Sequence, residues 1–223
     1  MMKWRSIWMI AVVALVISAC GDEEKVRVLP MIGNHDITYK MVDGVEVADT
    51  TFARIPSFSY LNQDSVVVTS ESMKGKIWVA KFFFASCPTI CPPMTAQMKR
   101  VQAMTKDLED EIQFISFSIN PTHDQPSVLR QYIKDHGIDT KNWQFLTGDE
   151  AKTHELGVNS FMVHVNSDEL SPGGYAHSDA ITLVDKEGIV RGVYIGTSTE
   201  DVNRLEKDLR KLLKYEYGVD GSN

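Results

Sequence analysis

The chain has 223 residues and a formal net charge of −7, enough length for one sizeable domain with appendages. An acidic body of this kind argues against nucleic acid as a partner. Its three cysteines are few enough to be assigned one by one.

The first 19 residues read as a leader. Lys3 and Arg5 make a positive start, Ile7 to Ile17 is almost wholly apolar, and Ile17-Ser18-Ala19-Cys20 closes the run. That ending resembles a bacterial lipobox, with Ile17 a mild departure from the usual leucine. Cys20 is then expected to be lipidated and to become the first residue, which places the body on the extracytoplasmic, periplasmic face of the cell membrane. An uncleaved anchor is the alternative, although the apolar run is short for a full span. Losing Lys3 and Arg5 takes the net charge from −7 to −9.

Residues 20–50 are polar and mixed and are expected to be a tether and N-terminal extension, with Gly21 to Lys25 lifting the body off the membrane. The compact domain is expected over 51–217, with a short tail over 218–223. Val66 to Thr69 reads as a short strand. Ile77 to Phe84 is the near-continuous apolar strand of a parallel-sheet centre. Cys87 and Cys91 follow in a turn, then Pro92 and Pro93, then apolar residues at Met94, Met98, Val101, Met104 and Leu108 with helical spacing. Ile112 to Ile119 alternates as a strand. Asp124 is expected to cap a helix over about 126–135, with Gly137 as its stop. Trp143 to Leu146 is a strand, and Asp149 caps a helix predicted to end at Gly157. Phe161 to Val165 reads as a strand, Ser167 to Gly174 as a loop, and Ala180 to Val184 with Ile189 to Ile195 as a hairpin. Thr197 to Glu200 has the capping-box pattern before a final helix with apolar residues at Val202, Leu205, Leu209, Leu212 and Leu213. This order predicts an α/β class, a thioredoxin-like fold with a central mixed sheet flanked by helices.

With Cys20 assigned to lipid, Cys87 and Cys91 stand alone in the mature body. A helix N-terminus favours thiolate, which is both nucleophile and metal ligand. A bridge across so short a loop would constrain the unfolded chain little, so reactivity or metal binding is the better reading than a structural staple. Redox thioredoxins place two residues between their cysteines. Here there are three, which lets both sulfurs face one point. His177 stands just before the Ala180–Val184 strand, in the segment that faces the cysteine turn of a thioredoxin fold. Two thiolates and an imidazole make a soft site apt for copper. A closed zinc site would want a fourth ligand, and a peroxidase signature is absent around both cysteines. His123 is a candidate auxiliary ligand. His35, His136, His154 and His164 read as surface or packing residues, and Met94, Met98 and Met104 as core.

Phe84-Ala85-Ser86-Cys87-Pro88-Thr89-Ile90-Cys91-Pro92, Asn120-Pro121-Thr122-His123-Asp124, and His177-Ser178-Asp179-Ala180-Ile181 together resemble the Sco (SenC) family of cytochrome c oxidase assembly proteins. The likeness runs over roughly residues 50–215. It implies that Cys87, Cys91 and His177 bind copper(I) or copper(II). It also implies that the protein helps build the binuclear copper centre of oxidase subunit II, by copper delivery, by reducing cysteines, or both. Other copper chaperones and thiol reductants are then further partners. A thiol–disulfide oxidoreductase acting on exported proteins through Cys87 and Cys91 stays open beside it. Thr89, Ile90 and Asn120 stand where many relatives carry acidic residues, which removes negative charge near the site.

Overall fold

In a computed structural model the described residues are 27–167 and 174–221. The leader, Cys20, the 21–25 tether, most of the expected 167–174 loop and the last two residues lie outside them.

An antiparallel hairpin comes first, β1 (His35–Val42) and β2 (Val45–Phe52), within a stretch read from the sequence only as polar and mixed. Its turn is Asp43-Gly44, with φ of 52° and 80°, the left-handed pair that a two-residue hairpin turn requires. The chain then continues through β3 (Ser59–Asn62), β4 (Val67–Thr69), β5 (Ile77–Phe83), α1 (Cys91–Met104), β6 (Ile112–Ser118), α2 (Pro126–His136) and β7 (Trp143–Thr147). It goes on through α3 (Glu150–Ser160), β8 (Val165–Ser167), β9 (Tyr175–His177), β10 (Ala180–Val184), β11 (Val190–Ile195) and α4 (Thr199–Lys211), which runs into a wider helical turn over Leu212–Glu216.

Seven strands form one sheet in the order β11-β10-β5-β6-β7-β3-β4. β5, β6 and β7 are parallel, and the pairs at either side are antiparallel, which is the mixed α/β sheet expected. Every residue of β5 and β6 is buried, because helices cover both faces. Phe82 stacks on Phe117 at 5.1 Å on one face, while Phe83 packs edge-on against Phe145 on the other. α1 adds Met94, Met98 and Val101, and α4 adds Val202, Leu205 and Leu209, all fully buried. Each large apolar side chain so buried contributes roughly 1.5–3 kcal/mol.

Several local expectations change. α3 does not stop at Gly157 but continues to Ser160. Gly157 is there for close approach, since a Cβ would meet Val165 at 3.1 Å and Phe82 at 3.2 Å. Phe161 to Val165 is therefore mostly the exit from a helix, and the strand begins only at Val165. α4 is capped by Ser198 rather than Thr197, its hydroxyl accepting from Asp201 N. Gln125 stands at the cap position of α2 but makes no capping bond, its side chain donating instead to Pro121 O at 2.6 Å, and Asp124 is used elsewhere. Gly137 does end α2, at φ 55°.

The segment after residue 27 is held by one buried cation. Arg191 on β11 donates to Leu29 O, Pro30 O, Asp185 and Glu216. Glu216 also accepts from Val28 N at 2.8 Å. Leu29 to Gly33 therefore packs on the domain.

Candidate metal centre

β5 delivers the chain to a turn at the carboxyl end of the sheet, where open α/β folds place their sites. Cys87 N donates to Phe84 O at 3.2 Å, and Ala85 N donates to the Asp124 carboxylate at 3.0 Å. Cys91 is the first residue of α1, with Pro92 and Pro93 in the first turn, where a missing N–H leaves no helical bond unmade. Cys87 is 8 % exposed and Cys91 1 %, and neither is bridged.

His177, at the end of β9, approaches from the opposite side. Its Nδ1 lies 3.0 Å from Ser178 O. A carbonyl only accepts, so Nδ1 carries the proton and Nε2 presents a lone pair. Nε2 lies 3.3 Å from Cys91 Sγ. The two sulfurs and this nitrogen all lie within 4.8 Å of one another. One ion could therefore touch all three, and a neutral Nε2 with its Nδ1 proton anchored is the form a metal-binding imidazole needs.

The two sulfurs are unlike. Cys87 is held far below the ordinary thiol range, first by a hydrogen bond from the Cys91 thiol and further by backbone N–H groups at Thr89 and Cys91. Cys91 is pushed up, because its proton is shared with Cys87 and its sulfur is buried. The pair is thus one thiolate and one thiol, an arrangement able to attack, to bridge or to take a soft cation. Thr89 Oγ1 lies 3.7 Å from Cys87 Sγ, so a residue that looked like a loss of charge supplies a hydroxyl instead.

His123 lies outside the cluster. Its Nδ1 is paired to Asp124 at 2.7 Å. Asp124 is fully buried and also accepts from Ser118 Oγ at 2.6 Å, so the 120–124 stretch serves to pin the cysteine turn. His136 stacks on Tyr132, His154 bonds Ile119 O, His35 lies against Phe52, and His164 is exposed. Met94 and Met98 are core residues, and Met104 is half-buried beside Arg100. A cleft of about 570 Å³ between Phe58, Tyr60, Lys152 and Leu156 holds no cysteine or histidine, so the chemistry lies outside it. Lys81, fully buried on β5, went unnoticed inside an apolar run; the available signal was a lysine six positions before Cys87.

Comparison with known proteins follows this geometry. A sequence-family model described as SCO1/SenC matches residues 47–214. The chain is 32% identical over 168 residues to the SCO1 protein homolog of Bacillus subtilis, covering 75% of this chain and 86% of that protein. Among solved structures it is similar to a SCO1/SenC family lipoprotein from Bacillus anthracis, at 34% identity and a TM-score of 0.66, covering 71% of this chain and 94% of the other. It is also similar to BsSco, a member of the Sco family of cytochrome c oxidase assembly proteins in which a disulfide switch was identified, at 33% identity and a TM-score of 0.64 over 71% and 92% of the two chains. Two cysteines on a strand-to-helix turn, a facing histidine and a match over most of the domain lead to one conclusion: the chain belongs to the SCO1/SenC family.

Proposed function

We propose that this protein is a membrane-tethered copper chaperone that assists assembly of the binuclear copper centre of cytochrome c oxidase subunit II. The observation that carries the reading is the convergence of Cys87 Sγ, Cys91 Sγ and His177 Nε2 within 4.8 Å. Two sulfurs and one imidazole nitrogen suit copper better than calcium, magnesium or a closed zinc site. Copper is the cargo. Cys87, already a thiolate, makes the first contact, and Cys91 joins on losing its proton. His177 is oriented by Ser178 O and needs no tautomer change. Two ligands at a strand-to-helix turn and a third at the end of β9 leave room for a partner's ligand, which transfer requires. Lipid on Cys20 would hold the domain on the periplasmic face beside its target.

The same asymmetric pair supports a second role, thiol–disulfide exchange with the target's cysteines. Membership in a family with an oxidase-assembly relative that carries a disulfide switch favours both roles acting at one site.

The test is copper titration of the parent and of His177→Ala. The variant should keep its fold and its thiols, because the half-buried residue lies in a short three-residue strand. Copper(II) affinity should fall by at least about the 10–100-fold seen for changes to groups around a metal. The sulfur-to-copper(II) absorption band should weaken with it. An unchanged band would remove His177 from the site. Mass spectrometry showing Cys20 lipidated as first residue would support the tether, and an intact Met1 peptide on the membrane form would refute it.

A further inference from the structure

β5 is buried along its whole length, yet it carries a lysine. Lys81 is 0 % exposed. Its Nζ donates to the Thr95 hydroxyl, which is also 2.7 Å from the Tyr132 hydroxyl. The rings of Phe83 and Trp143 lie 5.3 and 6.0 Å from the nitrogen. No carboxylate pairs with it among the described residues. An ammonium has three donors, and one acceptor meets them here. Lysine is almost never fully buried unless paired, because an unpaired buried charge is strongly unfavourable.

The charges that answer it are the sulfurs. Thr95 stands four residues after Cys91 on α1, so both project from one face, and both are buried. The Lys81 ammonium, bonded to Thr95, therefore lies about one helical turn from Cys91. Burial drives its pKa down to about 8, and the fields of Cys91 and Cys87 are what hold it up. Tyr132, the other titratable group on Thr95, is pushed up by burial and stays neutral.

We infer that Lys81 is a buried counter-charge for Cys87 and Cys91, biasing the site toward its anionic states. Two thiolates and a neutral imidazole around copper(I) carry one net negative charge, whereas the same donors around copper(II) are neutral. The open, metal-free pair becomes anionic whenever a thiol gives up its proton, as attack or metal binding requires, whereas the disulfide carries no charge. A positive charge held in a region of low dielectric stabilises the charged member of each couple. Lys81 thus favours copper(I) over copper(II) and the open pair over the bridge. The copper half rests on the function proposed above; the thiol half stands without metal.

The test uses the full-length chain with Lys81→Met and Lys81→Gln, which keep length and remove charge. The metal-free proteins are equilibrated with dithiothreitol and its oxidised form. The Cys87–Cys91 bond breaks as the small dithiol closes to its own disulfide, passing two electrons to the pair; of its two protons, one stays on the pair and the other leaves to solvent when the open pair is anionic. Alkylation mass shifts count the reduced fraction. In both variants the equilibrium constant for reduction should fall by at least about tenfold, about 30 mV toward negative potential for a two-electron couple. The ratio of copper(I) to copper(II) affinity should fall in the same direction. Lys186→Met, whose ammonium pairs with Glu111 at the far end of β10, should change neither. An unchanged potential in a folded variant would overturn the inference. So would failure of both variants to fold, since this charge works against the fold. A parent that binds no copper while the variants still shift the potential would refute the copper reading and leave the thiol half standing.

Discussion

Two buried cations divide this molecule into a part that holds and a part that acts. Arg191 is 1 % exposed, and all five of its N–H groups have acceptors on Leu29, Pro30, Asp185 and Glu216. It joins the N-terminal segment, the β10–β11 hairpin and the C-terminal end in one knot, whose two carboxylates are balanced by Arg191 and by Arg27, 3.5 Å from Glu216. Lys81 is as deeply buried and has one hydroxyl. A saturated charge fixes geometry, and an unsaturated one leaves its field for whatever lies nearby. Among the described residues the fold keeps the second kind only at Lys81, about one helical turn from Cys91.

The comparison predicts substitutions of opposite sign. Arg191→Met would strand Asp185 without its cation and leave Glu216 with only Arg27, 3.5 Å away, and should destabilise the protein by about 3–5 kcal/mol in urea unfolding. Burial alone would raise Glu216, but bonds from Arg191 and Val28 N hold it below its ordinary value. A depressed carboxylate gives stability that is present above the ordinary value and lost as pH falls through the folded one. Acidification should therefore narrow the gap between parent and variant. A loss under about 1 kcal/mol would place Arg191 among the weak surface pairs instead.

Lys81→Met should do the reverse. Its folded pKa of about 8 lies below the ordinary 10.5. Charging it in the folded state therefore costs roughly 3 kcal/mol at neutral pH, and the variant should be more stable by about that amount. The unfolded chain binds the extra proton between those two values, so the parent recovers stability as pH rises from about 8 to 10.5, and the difference should shrink across that window. Unfolding curves at pH 7 and 10 for both reduced proteins measure it. A variant less stable than the parent would mean that Lys81 belongs with Arg191.

Much of this division could be read in the sequence, and the exceptions have physical causes. Cys87, Cys91 and His177 stand out because thiols at a strand-to-helix turn are chemically conspicuous, and the parallel core strands because their apolar runs are nearly unbroken. Lys81 hides because one charge does not change the period of such a run. Ile112 to Ser118 alternates, yet its polar residues face no solvent: Ser116 accepts from Trp143 and Ser118 donates to Asp124. The β1–β2 hairpin has exposed residues on both faces, so no buried side imposes a two-residue period, and Asp43-Gly44 was the remaining signal. Asp124 precedes a helix as a cap would, but its carboxylate goes to Ala85 N and Ser118, partners that only the tertiary fold brings near.

That last contact gives a smaller effect between the two extremes. Asp124→Asn keeps the shape and loses a charged acceptor for three donors, which should destabilise the protein by about 1.5–3 kcal/mol. Because Ala85 N is one of them, alkylation of Cys91, the more buried sulfur, should also quicken. His123→Ala, which removes only the half-exposed donor, should leave that rate alone. Equal acceleration in both variants would show that the 120–124 stretch shields the thiols as a unit.

The smallest effect belongs to Thr89. Its hydroxyl is 3.7 Å from Cys87 Sγ, a weak bond to sulfur, and other causes lower the Cys87 pKa beside it. Thr89→Val keeps the branched shape and removes the donor. The loss should be under about 1 kcal/mol, less than one pKa unit. Cys91→Ala removes the first cause, the thiol proton shared with Cys87, and should raise the midpoint of Cys87 alkylation far more. The rate of iodoacetamide labelling against pH separates the two. In the parent, Cys87 should remain reactive well below the ordinary thiol range. In Thr89→Val the curve should move slightly upward, and in Cys91→Ala most of the way back. If Thr89→Val moved it as far as Cys91→Ala, the local hydroxyl would be holding the thiolate, and the partnership of the two sulfurs would not explain their asymmetry. A larger shift in Lys81→Met than in Thr89→Val would rank the distant buried charge above the adjacent neutral donor, as expected where the dielectric is low and one charge is left without a carboxylate.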